Sequence, residues 1–569
     1  MSDEFRLNVV LCWHMHQPQY CNRPNGEYQL PWTYLHAIKD YTDMAAHLEA
    51  QPGARAVVNF APTLLEQLDD YRSQMQAFFD HGENIRDPLL AALAHPVLPV
   101  DKQVCLSLLE GCLRANENTL IKRFAPYMRL AEMARWFQDH PLACAYINDQ
   151  FLIDLLVWYH LAWLGETVRR ENTQVQTLIK KGGNFTLHDR QQLVQVIGDL
   201  LNGLIDRYRL LAERGRIELS VTPYAHPIVP LLLDLQSTKE AMPEASMPVL
   251  EKYPGGAERV RWHVSEGIKT FERFFGFKPQ GCWPSEGSVS TESLAYYQEA
   301  GFRWIASGEN VLRHSLAQAK VSGIQGDQCG PHQAYRVGDS EVACFFRDDG
   351  LSDLIGFTYS TWHADDAVAN LLVHLENIAT ACKDQPGAVV SIILDGENAW
   401  EYYPENGYYF LNALYHGLTE HPRLNLTTYS ALLDAKLPSG QLSRLVAGSW
   451  VYGTFSTWIG NPDKNRAWDM LGDAKHRFDE VIASGRLNAE QVQAAERQLA
   501  ICEGSDWFWW FGDYNPAGAV SDFERLFRSQ LTALYQLLGV ETPEYLSHVF
   551  ARGGGQPQAG GTMRRGSDS

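Results

Sequence analysis

Two acids stand just past short apolar runs in this chain. Asp395 ends Ala388-Val-Val-Ser-Ile-Ile-Leu394, and Glu286 follows Gln280-Gly-Cys-Trp283. In α/β proteins the carboxyl ends of parallel strands are where catalytic groups collect. Two carboxylates on different strands, facing one mouth, can divide glycoside cleavage between them. One attacks the anomeric carbon; the other protonates the leaving oxygen and later activates water. The bland alternative is a solvated loop acid, and for either residue alone that is the commoner case. By spacing alone, Glu397 and Glu401 compete with Asp395. Glu286 follows Pro284-Ser285 and precedes a helix start, so backbone N–H groups should favour its ionised form. Asp395 sits beside Glu397 and Trp400, where burial and like charge should keep it protonated.

Histidines and tryptophans surround these acids in the sequence. His14 and His16 alternate at the end of the first apolar run, and His226 follows the third. With a carboxylate such as Asp395, the three could ligate zinc, which makes a metal-dependent hydrolase a reading of another class. The chain has no CxxC pair or HExxH to support it. Hydrogen bonding to sugar hydroxyls and tuning of the acids is the simpler role, and no cofactor is expected. Trp283, Trp400, Trp450, Trp458, Trp507, Trp509 and Trp510 are candidate platforms for the apolar faces of pyranoses. Most buried indoles are packing residues, so about two or three should touch substrate.

Seven short apolar segments are positioned to carry these groups: Leu7–Cys12, Ala54–Ala61, Arg216–Thr222, Gln280–Trp283, Phe302–Ala306, Val342–Phe346 and Ala388–Leu394. Each has a helix-like connection, and polar residues cluster after nearly every one. That pattern predicts an α/β fold, a parallel barrel in preference to an open sheet. Residues 64–212 contain no clear strand and read as a large helical insertion, broken near Lys181-Gly-Gly-Asn184 and capped by Thr186 or Asp189. The barrel with its insertion is assigned to residues 1–420. A helical domain that completes the cleft follows at 421–552, and the Gly-, Ser- and Gln-rich 553–569 is expected to be disordered.

Composition narrows the partners. The chain has 569 residues, 45% hydrophobic and 20% charged, as soluble globular proteins do, and a formal charge of −20. Such an acidic surface argues against nucleic acid or an anionic membrane and suits a neutral glucan. The acidic amino terminus lacks the basic and apolar regions of a signal peptide, and no apolar stretch is long enough to span a bilayer. The scattered cysteines read as reduced thiols, so a cytoplasmic location is expected.

Five short regions resemble glycoside hydrolase family 57, and within it the amylopullulanase-type branch. They are His14-Met-His16-Gln-Pro18; Glu218 through His226-Pro227; Cys282-Trp-Pro-Ser-Glu286-Gly; Leu394-Asp395-Gly-Glu-Asn-Ala-Trp400; and Gly448-Ser-Trp450 through Trp458-Ile-Gly and Asn465-Arg-Ala-Trp468. Leu35-His-Ala-Ile-Lys-Asp40, Phe346-Arg-Asp348 and Glu503 through Trp507 extend the likeness over about residues 7–515. Ser307-Gly-Glu309 departs from the more acidic turn of that family and bears on a subsite contact. The resemblance implies an incomplete (β/α)7 barrel followed by a helical domain, with Glu286 as nucleophile and Asp395 as acid/base. It implies a retaining hydrolase of α-1,4 bonds in starch or glycogen, with α-1,6 cleavage open. The alternative on the same scaffold is a 4-α-glucanotransferase or glucan branching enzyme.

Overall fold

The structure is a computed structural model that describes residues 5–22, 26–99, 101–321, 330–555 and 562–566. Its centre is seven parallel strands: β1 (Leu7–Met15), β2 (Ala56–Phe60), β3 (Ile217–Val221), β4 (Gly281–Cys282), β5 (Trp304–Ser307), β6 (Ala343–Phe346) and β7 (Val389–Asp395). They are buried on both faces, which is why they read as apolar runs. Their order is β7-β1-β2-β3-β4-β5-β6. A single parallel bridge, Arg347 to Ser391, brings the end of β6 back to β7. The result is an incomplete (β/α)7 barrel, as expected, with a helical domain after it.

Strand Ala334–Val337 runs antiparallel to β6 and pairs with Ser439–Leu442, while Leu424–Leu426 adds to β1. β1 continues to Met15, past the expected end at Cys12. Parallel neighbours on both sides, reaching Asp395 and Phe60, keep its backbone paired through His14. From Pro62–His81 to Leu187–Glu213 the described elements are all helical. Pro62 opens the first of these helices, where its missing N–H costs nothing. The last begins at a capping box of Thr186 with Asp189.

Among the described residues no helix is long and apolar enough to cross a membrane, and Cys12, Cys112, Cys282, Cys344 and Cys502 are buried free thiols. Of the segment 553–569, residues 556–561 and 567–569 lie outside the described residues. Residues 562–566 depart from the disorder expected of them: Arg564 and Gly566 are hydrogen bonded to the body of the protein.

Candidate active site

Strand register sets the floor of the site. His14 is paired with Asp395 on one side and Asn59 on the other, and Asn59 with Ser220. Asp395, His14, Asn59 and Ser220 therefore form a row across the carboxyl ends of four strands. Asn59 Nδ2 donates to Ser220 Oγ at 3.0 Å, so its Oδ1 is left to accept from His14 Nδ1–H at 2.7 Å. His14 Nε2 must then accept from His226 Nε2–H at 3.2 Å, and His226 Nδ1 from the Ser505 hydroxyl at 2.8 Å. Burial drives His14 down to about 3 and His226 well below its usual range, so both rings are neutral.

These imidazoles also stack. His16 lies 4.0 Å from His226 and 5.5 Å from His14, each at 18° between planes. His16 Nε2 contacts Asp506 Oδ1 at 2.7 Å, while its buried Nδ1 has no partner. Nitrogens of all three rings lie within 4.8 Å of one another, close enough to be considered for a metal. Parallel stacked rings, however, aim their lone pairs along parallel planes instead of at one point. All their nitrogens but His16 Nδ1 are already hydrogen bonded, and the donor set fits a relay better than a metal centre.

Glu286 enters the site on a strained turn. Its backbone is left-handed, with φ 57° and ψ 26°, and His226 is left-handed too at φ 58°. Such conformations in residues other than glycine persist where surrounding structure enforces them, often at functional sites. Trp450 enforces this one. Its amide donates to the Glu286 carbonyl at 3.0 Å and its indole Nε1 to Glu286 Oε2 at 2.9 Å. The Trp450 ring is flanked by the guanidinium of Arg347 at 5.3 Å and by Trp283, edge-on at 5.6 Å. Arg347 is itself anchored on Asp349, Asp353 and the carbonyl of Ile393.

Both acids line one cavity of about 790 Å³, together with His14, His16, Glu397, Glu401 and Trp450. Burial first, and Asp395 second, push Glu286 up to about 8. Among the described residues no backbone N–H bonds its carboxylate, so the expectation that its ionised form is favoured does not hold. The Trp450 donor alone does not offset desolvation. Asp395 is raised to about 6, by burial as expected, and is tempered by a hydrogen bond from Asn398 and the charge of Arg347. Coupled acids of this kind hold one proton between them. Glu397 is buried against Gln17 and pushed far up, which keeps it neutral.

The expected sugar platforms divide. Trp450, Trp509 and Trp510 line the cavity. Trp283, Trp400, Trp458 and Trp507 are fully buried behind it. Trp400 donates to Gly396 and packs on Trp13, Trp507 donates to Ile501, and Trp458 packs beneath Trp509. Asp348 caps the turn Asp349–Asp353 and bonds His332 at 2.9 Å, away from the lining. His226 sits beneath the site, its Nδ1 3.8 Å from Glu286 Oε1. The cavity also includes Trp32, Trp163, Gln17 and Asp506, which sequence reasoning missed. Trp32 and Trp163 belong to helical segments with no strand-end signal, whereas Asp506 adjoins the aromatic run that drew attention to Trp507.

Similar folds are found among solved structures. A branching enzyme from Thermococcus kodakaraensis superposes with a TM-score of 0.60 at 14% identity, covering 93% of this chain and 90% of that chain. An α-amylase from Thermotoga maritima gives 0.55 at 14% identity, covering 95% and 96%. A 4-α-glucanotransferase from Thermococcus litoralis gives 0.51 at 15% identity, covering 95% of this chain and 61% of that one. No curated protein matches the sequence. The sequence profile of Glycosyl hydrolase family 57 matches residues 10–444. That span holds four of the five motif regions and both carboxylates of the cavity, and the chain therefore belongs to glycosyl hydrolase family 57.

Proposed function

We propose that this chain is a retaining enzyme of α-glucans that hydrolyses α-1,4-glucosidic bonds of the starch and glycogen type. The observation that carries the reading is the coupled pair Glu286 and Asp395 in one tryptophan-lined cavity. Glu286, clamped by Trp450, attacks the anomeric carbon. Asp395 gives its proton to the leaving oxygen and then takes one from water. With Glu286 raised further than Asp395, the shared proton rests on Glu286. Substrate supplies a glycosidic oxygen as acceptor for Asp395, and the proton moves there as the acceptor docks. Trp450, Trp509 and Trp510 offer faces for pyranose rings, and the neutral His14–His226 relay offers fixed donors and acceptors to hydroxyls. Cleavage of α-1,6 bonds, as in the amylopullulanase-type branch, belongs to the same reading.

Incubation with amylose, pullulan and maltotriose, followed by product sizing, tests it. Hydrolysis raises reducing ends as substrate disappears. Redistributed chain lengths without new reducing ends would instead identify a 4-α-glucanotransferase, and new α-1,6 branches a branching enzyme.

A further inference from the structure

Residues 562–566, near the end of the chain, are built into the wall of this cleft. Gly566 is buried. Its N–H donates to Asp353 Oδ2 at 3.1 Å, and its carbonyl accepts from Tyr452 N and Asn310 Nδ2, each at 3.0 Å. A Cβ at this position would lie 2.5 Å from Asp349 Cγ and 2.8 Å from Arg347 Nη1, so the close approach requires glycine. Arg565 lies over Phe357.

Arg564 makes the contacts that reach the site. Its guanidinium stacks on Trp509 at 4.4 Å and on Tyr514 at 5.0 Å. It donates to Thr457 Oγ1 at 3.0 Å, to the Trp509 carbonyl at 3.1 Å and to Asn515 Oδ1 at 3.4 Å. Trp509 lines the cavity, and so does Thr562. A planar fork that stacks and donates at once fixes a ring more firmly than a lysine could.

We propose that residues 562–566 are a working part of the active site, with Arg564 a positioning residue that fixes the Trp509 platform. This rests on the α-glucan reading above. Around Arg564 the charged and titratable neighbours are Lys464 and Tyr514. The buried Lys464 amine donates to the Phe508 carbonyl and the Tyr514 hydroxyl, and burial together with Arg564 drives its pKa well down.

The test compares wild type with Arg564→Ala, Arg564→Lys, Arg552→Ala and a chain ending at Gly555, on amylose and maltotriose. Arg564→Ala and the shortened chain are expected to raise KM for amylose by about tenfold. Their kcat should stay within about twofold of wild type, the split expected of a residue that positions a binding surface and leaves the reacting acids untouched. Arg564→Lys should not restore the KM, and Arg552→Ala, at an exposed arginine outside the segment, should match wild type. The lysine variant carries the test if the alanine variant does not fold. Trypsin gives a readout independent of activity, since cleavage after Arg564 should be slow in the intact protein. Rapid cleavage there overturns the docking. A KM within about twofold of wild type in Arg564→Ala, or faster turnover by the shortened chain, overturns the role assigned to Arg564. Slow cleavage together with a wild type inert on every glucan would overturn the functional reading and leave the docking standing.

Discussion

Trp450 holds Glu286 at two points, through its amide on the carbonyl at 3.0 Å and its indole on the carboxyl at 2.9 Å. The first bond supports a left-handed backbone, and the second is the carboxyl's hydrogen-bond donor in a desolvated setting. Trp450→Phe keeps the ring and removes the side-chain donor. A hydrogen bond to a charged group contributes about 1.5–3 kcal/mol, so kcat/KM should fall by about 10–150-fold. Because the lost donor favours the carboxylate, the alkaline limb should also rise. A variant at wild-type rate with an unmoved limb would show that this bond has no part in catalysis.

The roles of the two acids separate by rescue. Glu286→Ala should lower turnover on every glucan by about 10⁴-fold or more, and azide should return a little β-glycosyl azide, the inverted product. Asp395→Ala should retain glycosylation of a fluoride or activated aryl glycoside, whose leaving group needs no proton. Azide should then speed turnover and yield α-glycosyl azide. The opposite pattern would exchange the roles. Near-normal activity in both variants would transfer attention to Glu397 and Glu401.

The pH profile should be bell-shaped. The working pair holds one proton, gained as pH falls below about 8 and joined by a second below about 6. The limbs belong to the pair, so the shape is the same whichever carboxyl carries the proton at rest. Measurement of kcat/KM from pH 4 to 10 should place the maximum at about 7. A profile flat through this range would mean that the two carboxyls do not titrate as a coupled pair.

Chelation should leave activity intact, because the chemistry assigned to the two carboxylates requires no Lewis acid. Loss of activity in EDTA, restored by zinc, would turn the His14, His16 and His226 stack into a metal centre.

A buried ion network supports the site from behind. Glu503 accepts from Arg259 at 2.8 Å, from His263 at 2.7 Å and from the Tyr253 hydroxyl at 2.6 Å. Arg259 leads the forces that outweigh burial and hold Glu503 at about 2, below its ordinary 4.5. A carboxylate depressed on folding stabilises above its unfolded pKa, and that stability is lost as pH falls through about 2. Glu503→Gln strands the Arg259 charge and should cost about 3–5 kcal/mol at pH 7. The gap from wild type should close as pH falls toward the folded value, read by urea denaturation. Ser505 donates its N–H to His226 at 2.9 Å, so the same variant should also loosen the relay.

The barrel and its two acids were legible in the amino-acid sequence because local order encodes them. Strands buried on both faces must be apolar throughout, and the first polar residue after Leu394 or Trp283 marks where the chain leaves the barrel. The capping box at Thr186 and Asp189 is equally local. What the sequence could not distinguish depends on distant packing. Trp458 and Trp509 have similar aromatic surroundings, yet Trp458 is sealed beneath Trp509 and only the latter reaches the cavity. His14 reads as a loop residue until pairing on both sides extends β1 through it. The proton affinity of Glu286 is set by desolvation and by Asp395 on another strand, which outweigh the turn chemistry on which the local reading relied. Arg564 stands in a stretch with almost no apolar content, and its place beside Trp509 follows from a tertiary pocket shaped by residues 457–515. Periodicity and motif are properties of neighbours along the chain. Burial and electrostatic coupling are sums over everything the fold brings near.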